Sequence, residues 1–301
     1  MNDLEYLLRN EDGSPITQKM QMKVATPAFA DDFSPQDVEA IERRWAVIQQ
    51  ERPEVFSRPG SLASLVHIAN DSYLFHPTEF KEYAAIQQDV SRRELSRQLY
   101  ENMRVASVGG VVRLSDGYVV VQRRANSLLA EPGKFDSGCA GFAIVKDGTL
   151  DFEGAVLSKL KQELNLNRND TTRVAHTAVR CSRSDCYSAM WDFAIDVKLG
   201  SHDFKEHVKA YEAQLTQAGK KPRIGECIYV HEEAVPEFII QMYGRGKELI
   251  GDGAGALLSS LDPERFRKTV DMLRRDGRKI AFGSLKGGEF SENGSYASTA
   301  K

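Results

Sequence analysis

Two adjacent arginines carry the side chains in this sequence that are best suited to phosphate chemistry. Arg123 and Arg124 end the β-rich run 118–124. A guanidinium group is planar and permanently charged, and it can hold a phosphate through two parallel hydrogen bonds. We therefore expect Arg123 and Arg124 to hold a phosphate or diphosphate if the protein binds one.

Two carboxylates stand at the start of the next regular segment. Residues 150–166 have helical spacing, and Asp151 and Glu153 fall in the first turn. Carboxylate oxygens are the ligands that Mg²⁺ prefers, so both residues are candidate metal ligands. Negative charge is also favoured at a helix N-terminus by the helix dipole, and this structural role is the alternative for both.

The chain has four cysteines, and no two of them have Cys-x-x-Cys spacing. Cys181 and Cys186 could bind a metal or form a disulfide, but we favour free thiols in a reducing compartment. Cys139 follows Gly138 in the loop after the arginines, and we interpret it first as a small buried residue.

The elements that must position these residues alternate between strands and helices. A turn at 115–117 joins two β-rich runs into a hairpin, and a loop then leads to the 150–166 helix. This order predicts an α/β fold with helices on both faces of a sheet. The later elements are strands at 174–181, 187–199 and 226–230, and helices at 202–218, 236–243 and 263–275.

The first hundred residues predict a partly helical extension. Ser34 and Pro35 are typical of a helix start, and this helix should end near Pro53. A short strand at 62–69 and a helical stretch from Thr78 toward Tyr100 follow. We divide the chain into an extension at 1–103, in which 1–33 is loosely ordered, a domain at 104–260, and a segment at 261–301 comprising a helix and a flexible tail.

Composition restricts the classes of partner. The 301 residues have a net charge of −3, which gives no electrostatic case for nucleic acid. No run of 18 apolar residues predicts a membrane span, and the first residues lack the basic region of a secretory signal. We expect a cytoplasmic protein that binds a small molecule and could form a homo-oligomer. No dinucleotide-binding glycine pattern, P-loop or zinc-protease motif is present.

Residues 105–166 resemble the Nudix fold family. The stretches that carry the resemblance come in the family's order: a first core strand at 105–112, a strand ending in arginine at 118–124, a Pro-Gly approach at 131–141 and the signature helix at 153–166. Upstream, Trp45, 56–60 and 78–83 resemble the lead-in region of a subgroup that cleaves uridine diphosphate sugars. The resemblance implies a Nudix-type α/β/α sandwich with a mixed sheet and Mg²⁺-dependent cleavage of a diphosphate.

The signature helix departs from the family's pattern at most of its charged positions. Ser158 stands at the arginine position and Lys159 at the next glutamate, the Glu-Glu pair is Gln162 and Glu163, and the glycine is Asn165. The resemblance therefore leaves Glu163 as the catalytic residue and metal ligand. Lys159 is either a solvated helix residue or a cation standing where metal charge usually lies.

This departure weakens any divalent-ion site. Three glutamates would carry −3, whereas Lys159, Gln162 and Glu163 sum to 0. Each unit charge near 4 Å is worth on the order of 4 kcal/mol at an effective dielectric constant of 20. We expect Mg²⁺ to be bound weakly, to be absent, or to be held by a rebuilt site. The candidates for a rebuilt site are Asp147, Asp151, Glu153 and Asp185.

Three functions follow from the resemblance. The first is a divergent phosphohydrolase acting on a nucleoside diphosphate derivative, with water as nucleophile and the arginines on phosphate. The second is a catalytically inactive module that binds a nucleotide or a protein. The third is a Nudix-fold isomerase, because the run around Cys139 also resembles isopentenyl diphosphate isomerase, which has a catalytic cysteine there. The family arrangement also implies an alternative for Arg123 and Arg124, a structural ion pair with Glu163.

Overall fold

The computed structural model describes most of the chain from Phe33 onward. The described residues are 4–6, 21–24, 28, 30, 33–51, 61–68, 72–89, 94–96, 99, 103–126, 128, 131–182, 188–220 and 224–282. The predicted flexible tail from Gly287, and also Asp185 and Cys186, lie outside these residues. None of the helices in the described ranges is long and apolar enough to cross a membrane.

A mixed sheet is the centre of the fold. Twelve strands within the described residues form it, and eight of them pair in the order β14-β1-β11-β12-β5-β3-β4-β2. Strands β6 and β8 also pair with β5, and β7 and β13 pair with β6. The strands are β1 (Leu4–Tyr6), β2 (Gln21–Val24), β3 (Ser61–Ile68), β4 (Ser72–Glu79), β5 (Val105–Arg113), β6 (Tyr118–Arg124), β7 (Phe135–Asp136), β8 (Cys139–Phe142), β11 (Thr171–Ser182), β12 (Ser188–Val197), β13 (Ile224–His231) and β14 (Ile280–Phe282). β9 (Val145–Lys146) and β10 (Thr149–Leu150) form a separate small ribbon.

Helices cover both faces of this sheet. They are α1 (Pro35–Glu51), α2 (Phe80–Gln88), α3 (Phe152–Leu164), α4 (Ser201–Gln217), α5 (Val235–Ile239), α6 (Gly251–Ser259) and α7 (Pro263–Arg275). Along β6, Val120 packs with α3 and α4, whereas Val119 and Val121 pack with α5, α6 and α7 on the other face. This alternation follows from the two-residue period of a strand.

Helix α3 forms for local reasons that the sequence contains. Val156, Leu160 and Leu164 are fully buried, and their spacing places one apolar stripe against the sheet. The Asp151 carboxylate accepts a hydrogen bond from the Gly154 backbone N–H at 2.8 Å, which caps the first turn. Asn165 ends the helix in the left-handed conformation, at φ 55°.

The α/β prediction, with a mixed sheet and a helical segment in the N-terminal extension, is confirmed. Helix α1 begins at Pro35 with Ser34 as its cap, as expected. The helix expected from Thr78 begins at Phe80, because residues 72–79 form strand β4. This helix ends at Gln88. Strand β3 pairs with β5, so the N-terminal segment shares the central sheet.

Candidate functional site

A cavity of about 210 Å³ lies between α3 and the strands that carry the sequence candidates. We call it the α3 cavity. Its walls come from strands β5, β6, β7, β8 and β12 and from α3, and the start of α6 and one residue of α2 complete them. Its polar lining residues include Ser107, Gln122, Arg124, Asp136, Ser137, Lys159, Glu163, Ser188 and Asp252.

Lys159 and Glu163 bring opposite charges into the cavity from one face of α3. They are four residues apart, so they lie one above the other on the helix surface. The Ala140 backbone N–H donates to Glu163 Oε2 at 3.3 Å. The Lys159 side chain passes directly over Gly141, where a Cβ atom would collide with it. Strand β8 therefore positions both side chains.

The remaining substituted positions of this helix face solvent. Gln162 is exposed, and its amide nitrogen donates to Ser158 Oγ at 3.2 Å. Its amide oxygen accepts from Lys159 Nζ at 3.4 Å. Lys159 is thus the substitution that changes the charge of the cavity.

Arg124 is the arginine that lines the cavity, and Asp136 holds it. Arg124 Nη1 lies 2.6 Å from Asp136 Oδ2. The Ser137 backbone N–H donates to the other oxygen of Asp136 at 2.7 Å. Burial raises the pKa of Asp136, Arg124 opposes this, and nearby Asp252 adds to it. The ion pair fixes the orientation of the guanidinium at the cavity wall.

Arg123 lies outside the cavity wall. Its guanidinium packs over the Phe135 ring, 4.2 Å from the centroid. It also donates to the Gly133 carbonyl oxygen at 2.9 Å and pairs with Glu226 at 3.2 Å. Neighbouring residues of a strand point to opposite faces, so the two arginines have different surroundings. Arg123 therefore makes an ion pair with Glu226 and not with Glu163, the partner that the family arrangement implies.

A buried ionic network supports the floor of the cavity. Asp252 begins α6, and its carboxylate lies 3.3 Å from Arg180 Nη1. Arg180 is fully buried and also pairs with Asp192 at 2.8 Å. The Ser188 hydroxyl donates to the Asp252 carboxylate at 3.3 Å. Removing one partner of such a network would leave an uncompensated buried charge.

The side-chain hydroxyl of Ser137, which also lines the α3 cavity, has no hydrogen-bond partner among the described residues. Ser137 is only 1% exposed. Buried polar groups are nearly always hydrogen-bonded, so this group needs an explanation.

Asp151 and Glu153 lie at the far end of α3. Asp151 is occupied as the helix cap, and Glu153 pairs with exposed Arg168 at 3.1 Å. Ten residues separate Glu153 from Glu163, which is about 15 Å along a helix. Asp147 is exposed in the turn between β9 and β10. The structural role proposed for the two helix carboxylates is supported.

The residues of the α3 cavity fit a Mg²⁺ cluster poorly. The helix supplies one carboxylate, Glu163, and places an ammonium group one turn before it. Asp136 and Asp252 are each already paired with an arginine. In the ranges that the structure describes, no group of three or more His, Cys, Asp or Glu residues is arranged to hold a metal ion.

Cys139 lies in the core instead of the cavity wall. It is fully buried and packs against Gly110. Burial raises the pKa of the Cys139 thiol, and Glu163 and Asp136 raise it further. These surroundings disfavour the isomerase alternative. Cys227 is a free thiol.

A larger cavity of about 520 Å³ lies on the other face of the sheet. Its charged side chains are exposed and paired: Arg265 with Asp262 at 3.3 Å, and Arg173 with Asp196 at 3.9 Å. Arg113 donates to the Ser260 carbonyl oxygen. We favour the smaller α3 cavity because Gln122, Asp136, Ser137, Ser188 and Asp252 are buried and its other charged groups are half-buried. Polar groups shielded from water bind a ligand more strongly than solvated ones.

Several polar residues of the α3 cavity carry almost no signal in the sequence, among them Asp136, Ser137, Ser188 and Asp252. Asp136 and Ser137 stand in a loop with no periodic signal, and Asp252 lies between two glycines. The adjacency of Asp136 to the Pro-Gly approach was the one available signal. Ser188 begins a strand whose residues otherwise predict core.

Known proteins resemble this chain only at low sequence identity and low TM-score. No family model matches this chain, and no curated protein matches it. Similar solved structures include DR0079 from Deinococcus radiodurans, at 18% identity over 65% of this chain and 96% of that chain, with a TM-score of 0.41. The Ap4A hydrolase of C. elegans is 14% identical over 56% of this chain and 99% of that chain, with a TM-score of 0.29. RenU, a Nudix hydrolase from M. smegmatis, is 15% identical over 44% of this chain and 73% of that chain, also with a TM-score of 0.29. These values are too low to identify a family or an activity.

Proposed function

We propose that this chain binds a phosphorylated, nucleotide-type small molecule in the α3 cavity. The observation that carries the proposal is that Arg124 and Lys159, from a strand and a helix, line the same cavity. Both side chains are N–H donors, and charge-assisted hydrogen bonds to phosphate are among the strongest that proteins make.

Charges of both signs line the cavity. Two cations line it, Arg124 and Lys159, together with three carboxylates, Asp136, Glu163 and Asp252. Behind Asp252, Arg180 adds a third cation, and its partner Asp192 adds a fourth carboxylate. A phosphate would therefore be held by directed hydrogen bonds from positioned donors, with little help from bulk positive charge.

The size of the cavity limits how much of a ligand it encloses. Pockets for drug-sized ligands usually measure about 300–1,000 Å³. At about 210 Å³, the α3 cavity would enclose the phosphorylated end of a nucleotide, and the remainder would extend outside.

Hydrolysis is the second candidate function, and the position of Glu163 favours it. This carboxylate lies in the same cavity as the two cations, and the Ala140 N–H orients it. As a general base it would take a proton from water as the water oxygen bonds to phosphorus. The bridging oxygen would leave on the other phosphate, which completes hydrolysis of a diphosphate linkage in a nucleoside diphosphate derivative.

Binding measured by calorimetry tests the first proposal. ADP, UDP-glucose and inorganic pyrophosphate would be titrated into the full chain in EDTA. Lys159→Met should lower the affinity for these ligands at least tenfold, because it removes the ammonium and keeps most of the side-chain volume. Lys161→Met is the matched control, since Lys161 is exposed on the same helix and does not line the cavity. Equal affinities in wild type and Lys159→Met, with the fold intact, would reject the site.

A further inference from the structure

The buried hydroxyl of Ser137 indicates a second ligand group in addition to the phosphate. Ser137 lines the α3 cavity, and its Oγ has no hydrogen-bond partner among the described residues. An unpaired buried hydroxyl lowers stability, and it is expected where a ligand supplies the missing bond.

The surroundings of Ser137 indicate what that ligand group is. The Asp136 and Asp252 carboxylates and the Ser188 hydroxyl line the same cavity. Carboxylates accept hydrogen bonds from hydroxyl groups and repel phosphate oxygens. An uncharged hydroxyl group therefore fits beside Ser137, while a phosphate fits near Arg124 and Lys159.

Close backbone packing fixes the position of Ser137. Gly253 in α6 lies directly against this stretch of chain, and a Cβ there would be 2.8 Å from Asp136 Cα and 3.0 Å from the Ser137 backbone nitrogen. The first turn of α6 thus holds the backbone of Asp136 and Ser137 in place, which limits where the Ser137 side chain can lie.

We infer that the α3 cavity recognises a sugar phosphate, either free or as part of a nucleotide, and that Ser137 binds one of its hydroxyl groups. The inference rests on the proposed function, because it assumes that Arg124 and Lys159 hold the adjacent phosphate. It adds a ligand class and a specificity-determining residue.

Ribose 5-phosphate and inorganic phosphate are the two probes for calorimetric titration in EDTA. Wild type should bind ribose 5-phosphate at least tenfold more tightly than inorganic phosphate. Ser137→Ala should lower the affinity for ribose 5-phosphate about tenfold and leave that for inorganic phosphate unchanged. Its Tm should not fall, since no internal hydrogen bond is removed.

A second buried serine provides the matched control. Ser64 is fully buried on β3, and its Oγ accepts a hydrogen bond from the Arg104 backbone N–H at 3.0 Å. Ser64→Ala should lower the Tm and leave both affinities unchanged. The two serines should therefore show opposite patterns.

Deoxygenated ligands repeat the test without relying on a variant's stability. At least one of the 2-deoxy and 3-deoxy analogues of ribose 5-phosphate should bind wild type about tenfold more weakly than ribose 5-phosphate, and this difference should vanish in Ser137→Ala.

Equal binding of all sugar and inorganic probes by wild type would overturn the inference and leave phosphate binding standing. Failure of every phosphate probe to bind would instead overturn the proposed function. A lower Tm in Ser137→Ala, with unchanged ligand affinity, would show that the hydroxyl is structural and would also overturn the inference.

Discussion

Lys159 and Glu163 lie one turn apart on α3, and both rest against strand β8. Lys159 crosses Gly141, and Glu163 accepts from the neighbouring Ala140 N–H. An ammonium group and a carboxylate therefore share the helix face that lines the cavity. This pairing places an amine side chain next to the candidate base, so we expect the charge at residue 159 to control which ions the cavity binds.

Reversing that charge should create affinity for a divalent ion. Lys159→Glu would place two carboxylates one turn apart in the cavity, so the affinity for Mg²⁺ or Mn²⁺ should rise at least tenfold, since each unit charge nearby is worth on the order of 4 kcal/mol at an effective dielectric constant of 20. Gln162→Glu is the control, because Gln162 is exposed. Calorimetry or Mn²⁺ electron paramagnetic resonance measures both. Equal metal binding in the two variants would show that residue 159 does not control the site.

Arg124 should contribute to ligand binding, whereas Arg123 should contribute to stability. Arg124→Met should weaken nucleotide binding by about 1–3 kcal/mol, which is typical of charged hydrogen bonds. Arg123→Met should leave binding unchanged and lower the free energy of unfolding by about 1 kcal/mol, because it removes the stacking on Phe135 and the exposed pair with Glu226. Calorimetry and urea denaturation measure these effects. Equal losses of affinity in both variants would contradict the placement of Arg123 outside the cavity.

Helix α3 shows which structural features could be predicted from the sequence alone. Its apolar residues recur at helical spacing, so the helix and its buried stripe were predictable. The four-residue spacing of Lys159 and Glu163 then fixes their shared face. The same stripe places Gln162 on the opposite side, since it lies two residues from Leu160 and therefore about 200° around the helix. The pattern could not show that β8 packs against Lys159 and Glu163, because that contact depends on the tertiary fold.

The floor of the cavity was not predictable from local sequence. Asp252 reaches the cavity because α6 packs closely on β7 through Gly253, a contact between residues more than a hundred positions apart. Helix α6 itself was missed because its sequence is rich in glycine and it is buried on all sides, so it has no amphipathic period. Its stability comes from tertiary packing.

Cys139 should be inert in the folded protein. Burial raises the pKa of its thiol, so the reactive thiolate is scarce at pH 8. Iodoacetamide should label Cys139 at a rate at least tenfold below its rate in the urea-unfolded chain, as read by peptide mass spectrometry. Cys139→Ala should retain ligand binding. Rapid labelling of the native protein at pH 8, with protection by a nucleotide, would revive Cys139 as a nucleophile.

Glu82 should make stability fall as pH rises. It is buried at the start of α2, where it accepts from Thr78 Oγ1 and from the Glu79 backbone N–H at 3.0 Å. Burial raises the pKa of Glu82, so the folded state binds this proton more tightly than the unfolded state does. The stabilisation is full below the ordinary glutamate pKa and is lost as pH rises through the raised value. Urea denaturation of wild type and Glu82→Gln from pH 4 upward should therefore show wild type losing stability relative to the variant. A relative gain would contradict the raised pKa.

Glu163→Gln distinguishes an enzyme from a binding protein. The substitution keeps the volume and the hydrogen bond from Ala140 while it removes the charge and basicity. If Glu163 is a general base, turnover of a diphosphate substrate should fall 10²–10⁴-fold while ligand affinity changes little. Glu153→Gln is the matched control, because Glu153 is exposed and pairs with Arg168.

The readout is phosphate release from a panel of sugar nucleotides, dinucleotides and nucleoside diphosphates. If wild type binds these ligands but turns over none, the chain is a binding module. If Glu163→Gln retains full turnover, another group supplies the base.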